Sequence, residues 1–167
     1  MLKIRQYKER VLHQKAKPVE KITEATRKLV QDMIPTMHIA NGVGLAAPQV
    51  GVSEQVIIVN ETQEKGKEIV LINPVIVRRH GRMESAEGCL SVPGAQVKLK
   101  RWKEVEVSYT DLTGEKRNLK AAELLARILQ HEIDHLNGTL IIDHLGLWKR
   151  LAVLRKLKSP PEGASKK

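Results

Sequence analysis

Aromatic side chains are nearly missing from this sequence, with two Trp, two Tyr and no Phe among 167 residues. A core must therefore rest on Leu, Ile, Val, Ala and Met, and a hydrophobic content of 41% is ordinary for a soluble globular chain. There is one cysteine, Cys89, so no intramolecular disulfide can form. Long apolar runs are absent, and none approaches the roughly 20 residues that a membrane-spanning helix needs. The opening stretch, Met1-Leu2-Lys3-Ile4-Arg5-Gln6-Tyr7, holds no apolar segment followed by a small-residue cleavage site. A secretory leader is thus not expected, and the cytoplasm is the expected compartment. Internal repeats and low-complexity tracts are lacking too. Acids are in short supply, 19 Asp and Glu against 29 Lys and Arg, for a formal charge of +10. The excess sits at the two ends. Lys149, Arg150, Arg155, Lys156, Lys158, Lys166 and Lys167 face only Glu162, and the segment up to Lys28 is also basic. Such a surface can attract nucleic acid or acidic partners. The plainer reading is a solvated face, and neither specific DNA binding nor membrane association is expected.

What is present divides into segments of different period. Residues 19–37 carry Ile22, Leu29, Val30, Met33, Ile34 and Met37 at helical spacing, with Pro18 placed to start the helix. Pro35 predicts an early end or a kink near Met33. Asn41-Gly42-Val43-Gly44 opens a loop. Gln55–Asn60 reads as a buried strand, Glu61–Lys67 as a turn, and Ile69–Val77 as a strand interrupted at Asn73-Pro74. Alternation of Val105, Val107 and Tyr109 marks a further strand, turned back at Leu112-Thr113-Gly114-Glu115. From Lys120 the period becomes helical through Leu124, Leu125, Ile128, Leu129, Ile133 and Leu136, until Asn137-Gly138 stops it. A last helix is expected at about Leu147 to Lys158, ended by Pro160-Pro161. These segments suggest an α+β fold: one catalytic domain over residues 1–158, then a polar, disordered tail at 159–167.

The chemistry concentrates in His131-Glu132-Ile133-Asp134-His135. Two histidines four apart on a helix project from one face and can bind one metal ion. Leu124 and Ile128 continue that face, which sets the pair beside the core rather than on an incidental surface helix. Glu132, next to the first ligand, can hold a water beside the metal and act as general base, then acid. Catalytic zinc-type sites use three protein ligands and leave a position open, so two histidines are one short. Cys89, in Glu87-Gly88-Cys89-Leu90-Ser91, is a candidate third ligand, soft enough for iron as well as zinc. Taken alone it fits an inert core thiol at least as well. The small-residue run Gly42–Gln49 lacks the Gly-Lys-Ser/Thr ending of a phosphate loop and follows a helix, so neither nucleotide fingerprint applies. It suits an extended peptide laid against backbone, with the Gln49 amide available to a developing oxyanion.

Together these three segments resemble the peptide deformylase family, whose motifs are a GxGLAAPQ loop, an EGCLS strand and an HExDH helix in this order. They stand here at Gly42–Gln49, Glu87–Ser91 and His131–His135, and Asn73-Pro74, Ser91–Gly94 and Gln130–Gly138 extend the likeness over most of the chain. The resemblance implies antiparallel sheets around a central helix that carries the HExxH motif, with a C-terminal helix. It implies hydrolysis of the N-formyl group from the initiator methionine of nascent polypeptides, releasing formate. Carried over by position, Cys89, His131 and His135 become the ligands of one divalent ion, commonly Fe(II), with zinc, nickel or cobalt as substitutes. Glu132 becomes the general acid and base, while Gln49 and the backbone N–H of Leu90 stabilise the oxyanion. Val43, Gly44 and Leu45 pair with the substrate backbone, and Ile128 with Leu124 shapes a methionine pocket. Two departures stand out. Lys8-Glu9-Arg10 replaces the family's usual Pro-Asp-Pro, and Gln96 stands where some members place an arginine near the substrate.

Two other readings compete. A general metallopeptidase would use the same helix but has no need of Gln49 and Cys89 in these contexts. A basic ribosomal-RNA binder with a structural metal would draw on the Leu147–Lys158 helix, which could equally give a deformylase a transient ribosome contact.

Overall fold

Pro18 does not start the first helix. In the computed structural model, which describes residues 2–158, α1 spans Glu24–Ile39. Thr23 and Thr26 cap it reciprocally, each hydroxyl accepting from the other's backbone N–H. Residues before the cap are held extended from elsewhere. The Asn73 side chain accepts from Val19 N–H and donates to Val19 C=O, both at 2.8 Å, and so takes the bonds a helix would need. Pro35 does not end the helix either. Met33 and Met37 are both fully buried, so packing on either side of the proline outweighs one lost backbone bond.

Where a loop was expected, β1 (Gly44–Ala46) pairs antiparallel with β2 (Val56–Val59). β3 (Ile69–His80) runs straight through Asn73-Pro74. The interruption survives only as a register shift between Ile72 and Val75 where β3 pairs with β6, with Asn73 in the left-handed region at φ 50°. β4 (Met83–Cys89) and β5 (Val92–Arg101) form a separate two-stranded sheet. β6 (Glu104–Thr110) and β7 (Lys116–Ala122) complete a five-stranded antiparallel sheet of order β1-β2-β3-β6-β7. Helix α2 (Glu123–Leu136) follows, and α3 spans Leu147–Lys158. The expected tail at 159–167, with Pro160-Pro161, lies outside the described residues.

Helices cover both faces of the sheet at its β2 end, which is why all four β2 residues are buried. Ile57 and Val59 join Leu71, Val105 and Val107 against Ala126 and Leu129 of α2. Val56 and Ile58 join Leu45 and Ile72 against Val30, Met33 and Met37 of α1. A third cluster packs Val92, Val97 and Leu99 of β5 on Leu12 and Leu140–Ile142, with Val153 and Leu154 of α3 beside it. The fold is therefore α+β, with antiparallel sheets around α2. Among the described residues no helix is long and apolar enough to cross a membrane.

Candidate metal centre and catalytic cleft

Helix α2 presents His131 and His135 one turn apart, with their rings edge to face at 4.9 Å between centroids. Across from them, β4 ends at Cys89. Period-two alternation puts Ser85, Glu87 and Cys89 on one face of that strand. Cys89 Sγ lies 3.3 Å from His135 Nε2, and one ligand atom from each of Cys89, His131 and His135 falls within 4.8 Å of the others. A thiolate and two imidazoles at this spacing match the three protein ligands of a catalytic site, which leaves a fourth position open.

A chain of charged groups, buried at Glu87 and Arg101, fixes the site from behind. His131 Nδ1 meets Glu87 Oε2 at 3.1 Å, which leaves Nε2 for the centre. Arg101, pointing inward from β5, donates to both oxygens of Glu87 at 2.8 and 2.9 Å and to Asp134 Oδ2 at 2.6 Å. His144 Nε2 reaches the same Asp134 oxygen at 2.7 Å. Burial alone would raise the Glu87 pKa, but the hydrogen bonds of Arg101 and His131 bring it down to about 2. Burial likewise opposes charge on His131, yet Cys89 and Glu87 raise its pKa to about 10. The surroundings thus hold positive charge at this spot, which suits a cation. His135 is pushed the other way, well below 6.5, by burial and then by His131, so it stays a neutral ligand.

Glu132 is buried beside the ligands, and burial drives its pKa up to about 7 against the pull of His131. Its Oε2 has no hydrogen-bond partner among the described residues. A buried carboxylate oxygen left unpaired is costly and marks a place for a reacting group. Gln49 sits in the 3₁₀ turn Ala47–Val50 that follows β1. Its Oε1 accepts from Ala46 N–H at 2.8 Å, and its Nε2 faces Ser91 Oγ at 3.3 Å and Cys89 Sγ at 3.8 Å. The carbonyl is spent locally, so the amide N–H₂ is the end offered to the centre.

These groups border a cleft of about 600 Å³ whose walls include Val43, Gly44, Gln49, Cys89, Leu90, Ile128, His131 and Glu132. One edge of β1 pairs with β2, and β1 is the terminal strand of its sheet, so its other edge is open to a further strand. The side chains of Leu45 and Leu124 are not among those that line this cleft. The Leu45 side chain is buried in the α1 core, and Leu124 packs against the core beneath α2. Glu87, Arg101, Asp134 and Ser91 were not singled out from the sequence. The alternation Val97-Lys98-Leu99-Lys100-Arg101 carried a signal for one of them, since it turns an arginine inward, where it needs acids.

The chain matches the family model described as polypeptide deformylase over residues 1–151. Peptide deformylase of Nitrosococcus oceani is 44% identical over 156 residues, 93% of this chain and 93% of that protein. The one from Endomicrobium trichonymphae is 42% identical, covering 94% of each. Among solved structures, a peptide deformylase from Legionella pneumophila superposes with a TM-score of 0.91 at 42% identity, covering 96% of this chain and 99% of that one. The Synechococcus elongatus peptide deformylase, solved in complex with actinonin, gives 0.88 at 43% identity over 93% of this chain and 86% of its own.

Proposed function

The chain belongs to the peptide deformylase family, a metal-dependent hydrolase that removes the N-formyl group from nascent peptides, and we propose that the cleft between β1, β4 and α2 is where it does so. The single observation that carries this assignment is the convergence of Cys89, His131 and His135 within 4.8 Å, with Glu132 buried beside them. These three residues would hold the ion. A divalent metal bound there supplies Lewis acidity, lowering the pKa of water and polarising a carbonyl. We assign Fe(II) to this site, with zinc, nickel or cobalt able to replace it, since a thiolate beside two imidazoles suits iron as well as zinc.

The rest is the work of the chain's own groups. The open edge of β1, with the backbone of Val43, Gly44 and Leu45, takes the substrate as an added strand. Ile128 forms the wall of the methionine pocket, and Leu124, one turn behind it, supports that wall. Glu132 accepts the proton of the attacking water at Oε2 and returns it to the departing amine, and a pKa near 7 serves both transfers. Gln49 Nε2 and the Leu90 N–H donate to the carbonyl oxygen as it gains charge. We take residues 1–158 as the catalytic unit and the cytoplasm as its setting. The basic ends meet in space, since Leu12 and Val11 share a core cluster with Val153 and Leu154 of α3. That basic face, with Trp148 81% exposed, supports a transient ribosome contact.

The test is formate release from formyl-Met-Ala-Ser by the metal-loaded protein and by Glu132→Ala. Metal-dependent turnover is expected in the wild type and a loss of about 10² to 10⁴ in the variant. Faster hydrolysis of an unformylated peptide would replace this reading with a general metallopeptidase.

A further inference from the structure

Arg127 is the sole Arg or Lys on the wall of the catalytic cleft among the described residues. It stands one turn of α2 before His131, partly buried, and has no hydrogen-bond or ion-pair partner among the described residues. The two acids on the same wall do not serve it. Glu87 has both oxygens clamped by Arg101 and His131, and Glu132 forms no ion pair. Gln96 and Asn41, which also line the cleft, are exposed and uncharged. A half-buried guanidinium without a partner, in a cleft built to receive a peptide, calls for an anion from that peptide.

Position selects which part of the peptide. Four residues of helix advance about 6 Å along the axis, and an extended peptide advances about 3.3 Å per residue. A formylated peptide extends only one way from its reacting end, so a peptide that runs along this wall from His131 brings the first or second residue after the methionine level with Arg127. We propose that Arg127 makes this cleft selective for a carboxylate carried by the first two residues after the methionine. The proposal rests on the deformylase reading and deepens it, since it names a substrate class.

The experiment compares kcat/KM of the metal-loaded wild type, Arg127→Gln and Arg127→Glu on four amidated peptides at low salt. These are formyl-Met-Asp-Ser, formyl-Met-Ala-Asp, formyl-Met-Ala-Ser and formyl-Met-Lys-Ser. In the wild type an Asp peptide should exceed the Lys peptide at least fivefold, chiefly through KM. Arg127→Gln should bring that ratio towards one, Arg127→Glu should invert it, and salt should flatten it in the wild type. Free-acid formyl-Met-Ala-Ser against its amide separates the chain end from a side chain as the carboxylate source. Turnover with the same acid-to-lysine ratio in all three proteins overturns the proposal alone. No turnover of any peptide overturns the functional reading and the proposal with it.

Discussion

A β-carbon built on Gly44 would stand 2.5 Å from Oε1 of Glu132 and 2.9 Å from its Cγ, too close for either atom to stay in place. β1 and α2 meet here with the Gly44 backbone against the Glu132 side chain, so glycine is what lets the edge strand and this carboxylate share one wall. Gly44→Ala should push the Glu132 carboxylate aside. A displacement near 1 Å costs about 10²-fold in rate, while overpacking costs stability only about 1–3 kcal/mol. Steady-state formate release beside a thermal unfolding curve checks both. Full activity in a folded Gly44→Ala protein would show that Glu132 is not positioned through this contact.

Glu87 would act on a metal held in the cleft through His131. Its Oε2 lies 3.1 Å from His131 Nδ1, which fixes the ring with Nε2 towards the centre. Glu87→Gln keeps the shape but loses the charge, and partners of this kind are worth about 10–100-fold in metal affinity. Competition with a chelator should show a loss of that size. Metal affinity equal to the wild type would place Glu87 in the stability of the fold alone.

Arg101 is a matter of stability first. It is 5% exposed and serves Glu87 and Asp134 together. Arg101→Met fills much of the volume but leaves the buried Glu87 carboxylate without its main partner. Removing one member of such a pair costs about 3–5 kcal/mol. Urea unfolding measures the loss, and a change under about 1 kcal/mol would mean that these charges behave as surface charges do.

A half-buried pair, His38 and Glu68, links α1 to the start of β3 and gives stability a pH dependence away from the metal centre. Burial tends to raise the pKa of Glu68, but hydrogen bonds from His38 and the Gly66 N–H outweigh it and hold the carboxyl below 4.5. A folded-state pKa below the unfolded one contributes stability in full above the unfolded value. That stability is lost as pH falls through the folded value. Glu68→Gln should therefore melt below the wild type at neutral pH, with the gap closing from about pH 5 downwards. A gap that stays constant down to acid pH would contradict the assignment.

Local pattern decided much of this protein. The spacing of His131 and His135 depends only on helical periodicity, and the alternation in β2 and β6 depends only on the pleat, so both were readable without the fold. The family motifs carried the reading from two histidines to a third ligand and a substrate, although Cys89 lies 42 positions before His131. Tertiary contacts decided the rest. Pro18 failed to start a helix because Asn73, 54 residues away, takes the backbone bonds of Val19. Pro35 failed to end one because Met33 and Met37 are held in the core. The sequence by itself determined which histidines share a helix face, that Glu132 stands next to the first of them, and that Gly42–Gln49 is a run of small residues, since each is written in residues a few positions apart. Only the folded chain could decide that Arg101 braces Glu87, that Glu87 orients His131, and that Arg127 is left unpaired in the cleft. Those relations depend on which strands and helices face each other, and no local spacing encodes that.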